Sequence, residues 1–279
     1  MTFSTFIPPA ANQGIGVAFT DRVNLSGDLE GGNWFDLSRP DSADANGVIS
    51  NFQILADLIE CDRIALCTQV HGTQINHVGP DYPFLPMNWI HVSTHASPVA
   101  DGMITNQLAT ALVVRVADCV PVLLANPASR TITAVHAGRV GLLAGVLQAA
   151  VKAMGIDASS QLQAWIGPHI CSACYEVPPA MAQAAWELIP ATSAKSRSGA
   201  DAIDLGAGAQ AILETAGVDV IRLDPCTSCD SRFFSYRRDH KGLGRQAGVI
   251  WTACLDQSEQ SSWGNLTVDD FRRYHGTAQ

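Results

Sequence analysis

Residues 109–125 read ATALVVRVADCVPVLLA, and this stretch decides the fold class. Ala109 to Val116 and Val120 to Ala125 are two apolar runs of strand length, interrupted only by Ala117-Asp118-Cys119. Runs that apolar on both alternate positions belong to strands covered on both faces. Outward from here, Thr131 to His136 is a third, β-branched run. Gly141 to Met154 then carries Leu142, Leu143, Val146, Leu147, Ala150, Val151 and Met154 at helical spacing. Gln161 to Ile166 reads as a strand ending at Gly167-Pro168. Pro178 to Ile189 and Leu205 to Ala216 read as helices, and Val218 to Leu223 and Gly248 to Ala253 as strands. Toward the N-terminus, Ala45 to Glu60 has a helical stripe. Arg63 to Val70 and Gln74 to Val78 read as strands joined through His71-Gly72. Residues 21–47 and 79–98, the latter with four prolines, read as loops, and residues 190–201 as a mobile loop. Strands and helices alternate irregularly, which predicts an α/β or α+β layered fold with a mixed sheet.

The bulk properties narrow the function. Of 279 residues, 47% are apolar and 15% charged, which fits a folded globule and not a disordered chain. The net charge of −9 leaves no electrostatic footprint for nucleic acid and none for an anionic membrane surface. The opening MTFSTFIPPAANQ has no basic region followed by an apolar run, and no stretch is long enough to span a bilayer. The expectation is a cytoplasmic protein whose eight cysteines are mostly reduced.

Three segments share one pattern, a strand ending in Cys or His beside a small residue: CTQVHG at 67–72, VADCVP at 116–121 and AVHAG at 134–138. His71, Cys119 and His136 would offer two imidazoles and a thiolate, a donor set suited to Zn²⁺. Three protein ligands leave the fourth position of a catalytic ion open. With sequence separations of 48 and 17, spacing alone does not prove a site. Asp101 and Asp118 stand beside these motifs as acceptors for a ligand histidine or as turn formers. Arg237, Arg238 and Arg245 are forked cations suited to phosphate or carboxylate oxygens. Tyr175 and Phe234 could stack on a planar ring or pack in the core. Cys171/Cys174 and Cys226/Cys229 are two Cys-x-x-Cys pairs. They lack a Gly-rich knuckle and stand 52 residues apart, so a zinc ribbon is not expected, and Cys61, Cys67 and Cys254 read as core cysteines. His77, His91, His95, His169, His240 and His275 have no paired spacing. The zinc nucleobase deaminase signature, a phosphate-binding loop and a dinucleotide fingerprint are absent. Copper oxidase chemistry would need more histidines.

The motifs in series are more specific than any one of them. QVHG at 69–72, ADG at 100–102, ADCVP at 117–121, VHAG at 135–138, IGP at 166–168, YEV at 175–177, CTSC at 226–229, FFSYRRD at 233–239 and GRQA at 244–247 cover about two-thirds of the chain. In that order they resemble the YfiH family, long labelled polyphenol oxidase or laccase-domain proteins. The resemblance implies one domain over 1–279, with a motif core about 63–254 and a divergent part at 1–60, in a layered α/β/β/α fold. It implies zinc held by His71, Cys119 and His136. It also implies phosphorolysis of adenosine, inosine, guanosine and methylthioadenosine, and hydrolytic deamination of adenosine. The partners would be purine nucleosides and phosphate, and the assembly a monomer or homodimer. Asp118 would join the three ligands in catalysis, as a candidate acid for the leaving purine, while Arg237, Arg245, Arg139 and Asp101 would serve the substrate. The family continues VHAG as WRG; here Arg139 and Val140 follow Gly138. On an extended segment this shift would turn the guanidinium away and weaken phosphate use. Two other readings use the same residues: a metal-independent hydrolase with Cys119 as nucleophile and His136 as base, and an impaired homologue that only binds, suggested by Arg139-Val140.

Overall fold

The computed structural model of the protein describes residues 2–24, 34–38, 45–61, 63–85, 97–155, 161–239 and 244–253. The elements, in chain order, are β1 (Phe3–Ile7), β2 (Ile15–Thr20), α1 (Ala45–Ile59), β3 (Arg63–Ala65), β4 (Ile75–His77), β5 (Gly102–Thr105), β6 (Thr110–Val116), β7 (Val120–Asn126), β8 (Thr131–Ala137), α2 (Arg139–Ala144), α3 (Val146–Ala153), β9 (Gln163–Ile166), α4 (Pro179–Leu188), β10 (Ser193–Lys195), β11 (Asp201–Ile203), α5 (Leu205–Thr215), β12 (Asp219–Arg222), α6 (Tyr236–Asp239) and β13 (Gln246–Thr252). Among the described residues two mixed sheets form, ordered β1-β2-β13-β6-β3 and β12-β9-β7-β8-β5-β4, with β10 and β11 as a separate hairpin.

The period-two alternation of each strand sorts its side chains into separate cores. In β6, Leu112 and Val114 face the space between the sheets, where they join Leu123 and Ala125 of β7, Ile132 and Ala134 of β8 and Phe19 of β2. Ala111 and Val113 of β6 face the other way, onto Val48, Phe52, Leu55, Ala56 and Ile59 of α1. In β7, Val120, Val122 and Leu124 face α2, α3 and α5 through Leu142, Val146, Leu147, Ala150, Leu205 and Ala209. The layers are therefore α/β/β/α, a mixed α/β fold as expected. Each large aliphatic or aromatic side chain so buried stabilises the layer contact by about 1.5–3 kcal/mol.

Several boundaries differ from the sequence reading, each for a local reason. The helix expected over 141–154 is two helices. Gly145 sits at φ 96°, and its N–H closes α2 onto the carbonyls of Gly141 and Leu142. A left-handed residue ends one helix and redirects the chain into the next without disturbing the apolar stripe. Residues 190–201 form a 3₁₀ turn and the β10–β11 hairpin, because Glu176 and Trp186 supply partners that a small polar segment does not advertise. The strand expected over 63–70 stops at Ala65; beyond it Thr68 makes one bridge to Val99. The N-terminal β1 and β2 were not expected. β2 pairs with β13 and is buried throughout, so the segment whose motifs diverge still supplies sheet. Parts of the two expected loops, 25–33, 39–44 and 86–96, lie outside the described residues, as do Cys254, His91, His95, His240 and His275. Among the described residues no helix is long and apolar enough to cross a membrane.

Candidate metal centre

Strand register gathers the motifs at one end of neighbouring strands. β7 and β8 are antiparallel with Val120 opposite Ala137, so Cys119 and Gly138 lie one step beyond, at the open end. β5 runs antiparallel to β8 with Gly102 opposite Val135, and the His136 N–H donates to the Asp101 carbonyl at 2.7 Å. Residues 70–72 arrive before β4, which pairs with β5.

The ligand atoms of His71, Cys119 and His136 all lie within 4.8 Å of one another. Cys119 Sγ is 3.7 Å from His71 Nε2, and the two imidazoles meet edge to face with centroids 4.8 Å apart. A tetrahedral ion about 2.3 Å from sulfur and about 2.0–2.1 Å from nitrogen would space the donors about 3.6 Å apart. Three donors at this spacing fit such an ion. His136 is buried, Cys119 half-buried and His71 exposed, so the group opens to solvent on the His71 side. Gly138 makes the approach feasible. A Cβ there would lie 2.5 Å from His71 Cδ2 and 3.1 Å from Cys119 Sγ, inside the space the ligands share.

Asp101 organises both histidines. It is fully buried. Its Oδ2 accepts the N–H of Val70 at 3.1 Å and of Gly72 at 2.6 Å. Its Oδ1 accepts the N–H of His71 at 2.9 Å and lies 2.7 Å from His136 Nδ1. Three successive amides around one carboxylate hold His71 at φ 62°, a conformation a non-glycine residue rarely adopts unaided. The bond to Nδ1 leaves Nε2, the His136 nitrogen toward Cys119, as the one a metal would take in exchange for its proton. Burial opposes the Asp101 charge, but the bonds from His136, Gly72 and Val70 hold its carboxyl below the usual range. Burial likewise opposes a Cys119 thiolate, yet His136 and His71 beside it bring the thiol down to about 6. His136, which burial alone would lower, is raised to about 9 by the Cys119 sulfur and Asp101.

Asp118 is, with His71, a residue of the site held at positive φ, here 87°. Its Oδ1 accepts the Thr227 hydroxyl at 2.6 Å, its Oδ2 the Arg237 N–H at 2.7 Å, and its carbonyl the Ile170 N–H at 3.1 Å. The carboxylate thus ties the Cys119 turn to two distant segments. Arg237 lies with its guanidinium carbon 5.2 Å from the Tyr175 ring centroid and donates to the Glu176 carbonyl at 3.0 Å. Burial raises the Tyr175 phenol, against the pull of the Arg139 guanidinium bonded to it, and the Cys119 sulfur adds to the rise. Arg139, Tyr175 and Arg237 therefore neighbour one another on the Cys119 side. The segment after Gly138 is helical, not extended: Arg139 opens α2 beside Tyr175, and Val140 is 51% exposed. The Arg245 N–H donates to Asp36 and its carbonyl accepts from Leu37, which fixes its backbone against the 36–37 segment. Arg238 serves the chain, donating to the carbonyls of Thr227, Ser228, Asp230 and Phe233. Phe234, Cys61, Cys67 and His169 are buried, and His77 is exposed.

Three contributors escaped the sequence reading. Gln69 bonds both the N–H and the carbonyl of Arg115, extending the sheet edge with a side chain. Thr227 reaches Asp118 across 109 residues. Gly138 carries a signal in retrospect, a residue without Cβ directly after a strand-end His-Ala.

A four-layer α/β fold with two imidazoles and a thiol converging at one end of neighbouring strands defines a class, α/β proteins with a candidate His₂Cys metal centre. Within that class, the chain belongs to the family described as multi-copper polyphenol oxidoreductase laccase, which it matches over residues 22–253. It is 39% identical over 214 residues to the purine nucleoside phosphorylase SCO2081 of Streptomyces coelicolor, covering 75% of this chain and 84% of that protein. It is 31% identical over 246 residues to a purine nucleoside phosphorylase of Deinococcus radiodurans, covering 86% and 90%. Among solved structures, YlmD from Geobacillus stearothermophilus superposes with a TM-score of 0.76 at 25% identity, covering 89% and 96%. Neisseria meningitidis NMB0706 does so with a TM-score of 0.73 at 28% identity, covering 91% and 100%.

Proposed function

We propose that the chain is a zinc-dependent purine nucleoside phosphorylase with adenosine deaminase activity, acting on adenosine, inosine, guanosine and methylthioadenosine. The observation that carries this reading is the convergence of His71, Cys119 and His136 beside two arginines, in a chain whose relatives bear the phosphorylase name. Bound by these three residues, Zn²⁺ would supply a Lewis acid with an open fourth position. A multi-copper oxidase would need histidines beyond a His₂Cys set; among the described residues the other candidate group is four cysteines.

The chain's own residues divide the remaining work. Asp101 holds the two histidines in register and fixes the tautomer of His136, so it is a positioning residue rather than a substrate ligand. Arg139 and Arg237, both beside Tyr175, offer forked donors to phosphate or ribose oxygens. Asp118 already accepts at both oxygens. We therefore assign it to anchoring the Arg237 segment and not to protonating the leaving purine. Pairing of β2 with β13 supports reading the chain as one domain. Small-molecule partners, a cytoplasmic location and a monomeric or homodimeric state complete the reading.

The test is product analysis with adenosine across a phosphate series. Inosine should form without phosphate, and adenine with ribose 1-phosphate should rise as phosphate is added. Both should vanish on chelation and return with zinc. Neither product from metal-replete protein would overturn the reading. One observation favours a second: with the thiol lowered and the imidazole raised, Cys119 and His136 would form a thiolate–imidazolium pair when metal-free. Hydrolytic turnover undiminished by chelation would move the chemistry to that pair.

A further inference from the structure

The two Cys-x-x-Cys pairs, distant in sequence, meet in space. Their four sulfur atoms all lie within 4.8 Å of one another, with Cys174 Sγ 3.4 Å from Cys229 Sγ. The cause is the parallel register of β9 and β12, in which Ile166 is the partner of Arg222. Cys171 follows Ile166 by five residues and Cys226 follows Arg222 by four, so both pairs leave the C-terminal ends of these neighbouring strands side by side. The segments continue in parallel, with a bridge between His169 and Cys226 and the Thr227 N–H on the His169 carbonyl at 3.0 Å. Each pair is bent by its own turn. The Cys174 N–H closes onto the Cys171 carbonyl at 3.0 Å, and the Asp230 N–H onto the Cys226 carbonyl at 3.0 Å. These turns do the work of the missing Gly-rich knuckles.

We propose that Cys171, Cys174, Cys226 and Cys229 bind a second, structural Zn²⁺, separate from the His71–Cys119–His136 group. Four thiolates about 2.3 Å from one ion stand about 3.8 Å apart, a spacing this cluster fits with small adjustment. A four-thiolate zinc site carries net negative charge, and two donors face it. The Cys171 N–H points to Cys226 Sγ at 3.3 Å, and the Arg197 guanidinium to Cys229 Sγ at 3.5 Å. All four coordination positions are filled by protein, the arrangement of a structural and not a catalytic ion.

The location gives the ion a task. Cys174 directly precedes Tyr175, and Cys226 directly precedes Thr227, whose hydroxyl holds Asp118. Arg238 clasps the carbonyls of the same turn, one residue after Arg237. The ion would pin together the two segments that bring Tyr175 and Arg237 to the Cys119 side. Because β9 and β12 are separated by a long excursion through α4 and α5, such a clip also limits the freedom of the unfolded chain.

The proposal stands independently of the activity reading, and metal content separates them. Full-length protein expressed in zinc-supplemented medium should contain about two zinc ions per chain, and Cys119→Ser about one. Cys226→Ser/Cys229→Ser should also retain about one. In the cobalt-substituted forms, that double variant should lose most of the sulfur-to-metal charge-transfer absorption, whereas Cys119→Ser should keep it. If the double variant does not fold, the cobalt spectrum of Cys119→Ser alone decides. A four-thiolate spectrum supports the site, and its absence overturns it. Zinc content unchanged in a folded double variant would overturn it too. So would a Cys174–Cys229 disulfide in protein purified under reductant with no metal bound there. A single zinc in the natural protein, lost in the double variant, would support this site and remove the other.

Discussion

Replacing Asp101 by Asn changes one atom and tests how the candidate centre is held. The carboxylate takes two donors on each oxygen: the Val70 and Gly72 amides on Oδ2, and the His71 amide with His136 Nδ1 on Oδ1. An amide keeps one acceptor and presents an NH₂ on the other side. With the NH₂ toward the loop, the Val70 and Gly72 amides face a donor. With it toward His136, the imidazole must move its proton to Nε2, which removes the lone pair a metal needs. Either orientation forfeits two charge-assisted bonds, each about 1.5–3 kcal/mol, so about 3–6 kcal/mol of stability is at stake. Metal affinity should fall about 10–100-fold, the usual effect of losing a ligand's supporting partner. Because the Asp101 carboxyl is held below its ordinary value, its contribution is present at neutral pH and is lost as pH falls below the carboxylate range. The variant should lack that acid-side loss. Competition with a chromophoric chelator at pH 7, and denaturant unfolding at pH 7 and at about pH 2, below the carboxylate range, measure both effects. Zinc affinity within about threefold of the natural protein, with unchanged stability, would refute the positioning role.

Gly138→Ala should abolish tight metal binding at the His71–Cys119–His136 group while leaving the fold intact, since its methyl would overlap His71; metal analysis with circular dichroism checks this. In metal-free protein, alkylation of Cys119 by iodoacetamide should rise with pH through a midpoint near 6. In His136→Ala the midpoint should move toward the ordinary thiol value, because the cation that favours the thiolate is gone. Val140→Arg should change neither reaction of adenosine appreciably, since residue 140 points to solvent. Arg139→Ala should raise the KM for phosphate about tenfold or more and spare deamination, which product analysis across a phosphate series resolves.

Much of this molecule is local and was legible in its sequence. The runs at 109–125 and 131–136 are apolar on both alternations because both faces of β6, β7 and β8 are covered, and the stripe of α1 repeats at helical spacing. Residue types at strand ends nominated His71, Cys119 and His136, and the ordered motifs implied the family. What sequence spacing cannot encode is which strand lies beside which. The convergence of three residues 48 and 17 positions apart depends on β5, β7 and β8 lying side by side, with the motifs at one end of these strands. The role of Asp101 depends on loop 70–72 folding over it, and the helical start at Arg139 reversed the orientation expected for the arginine. The cysteine pairs are the clearest case. A 52-residue gap argues against a shared site only until the β9–β12 register is known, because pairing across a parallel sheet sets distance through hydrogen bonds and not along the chain.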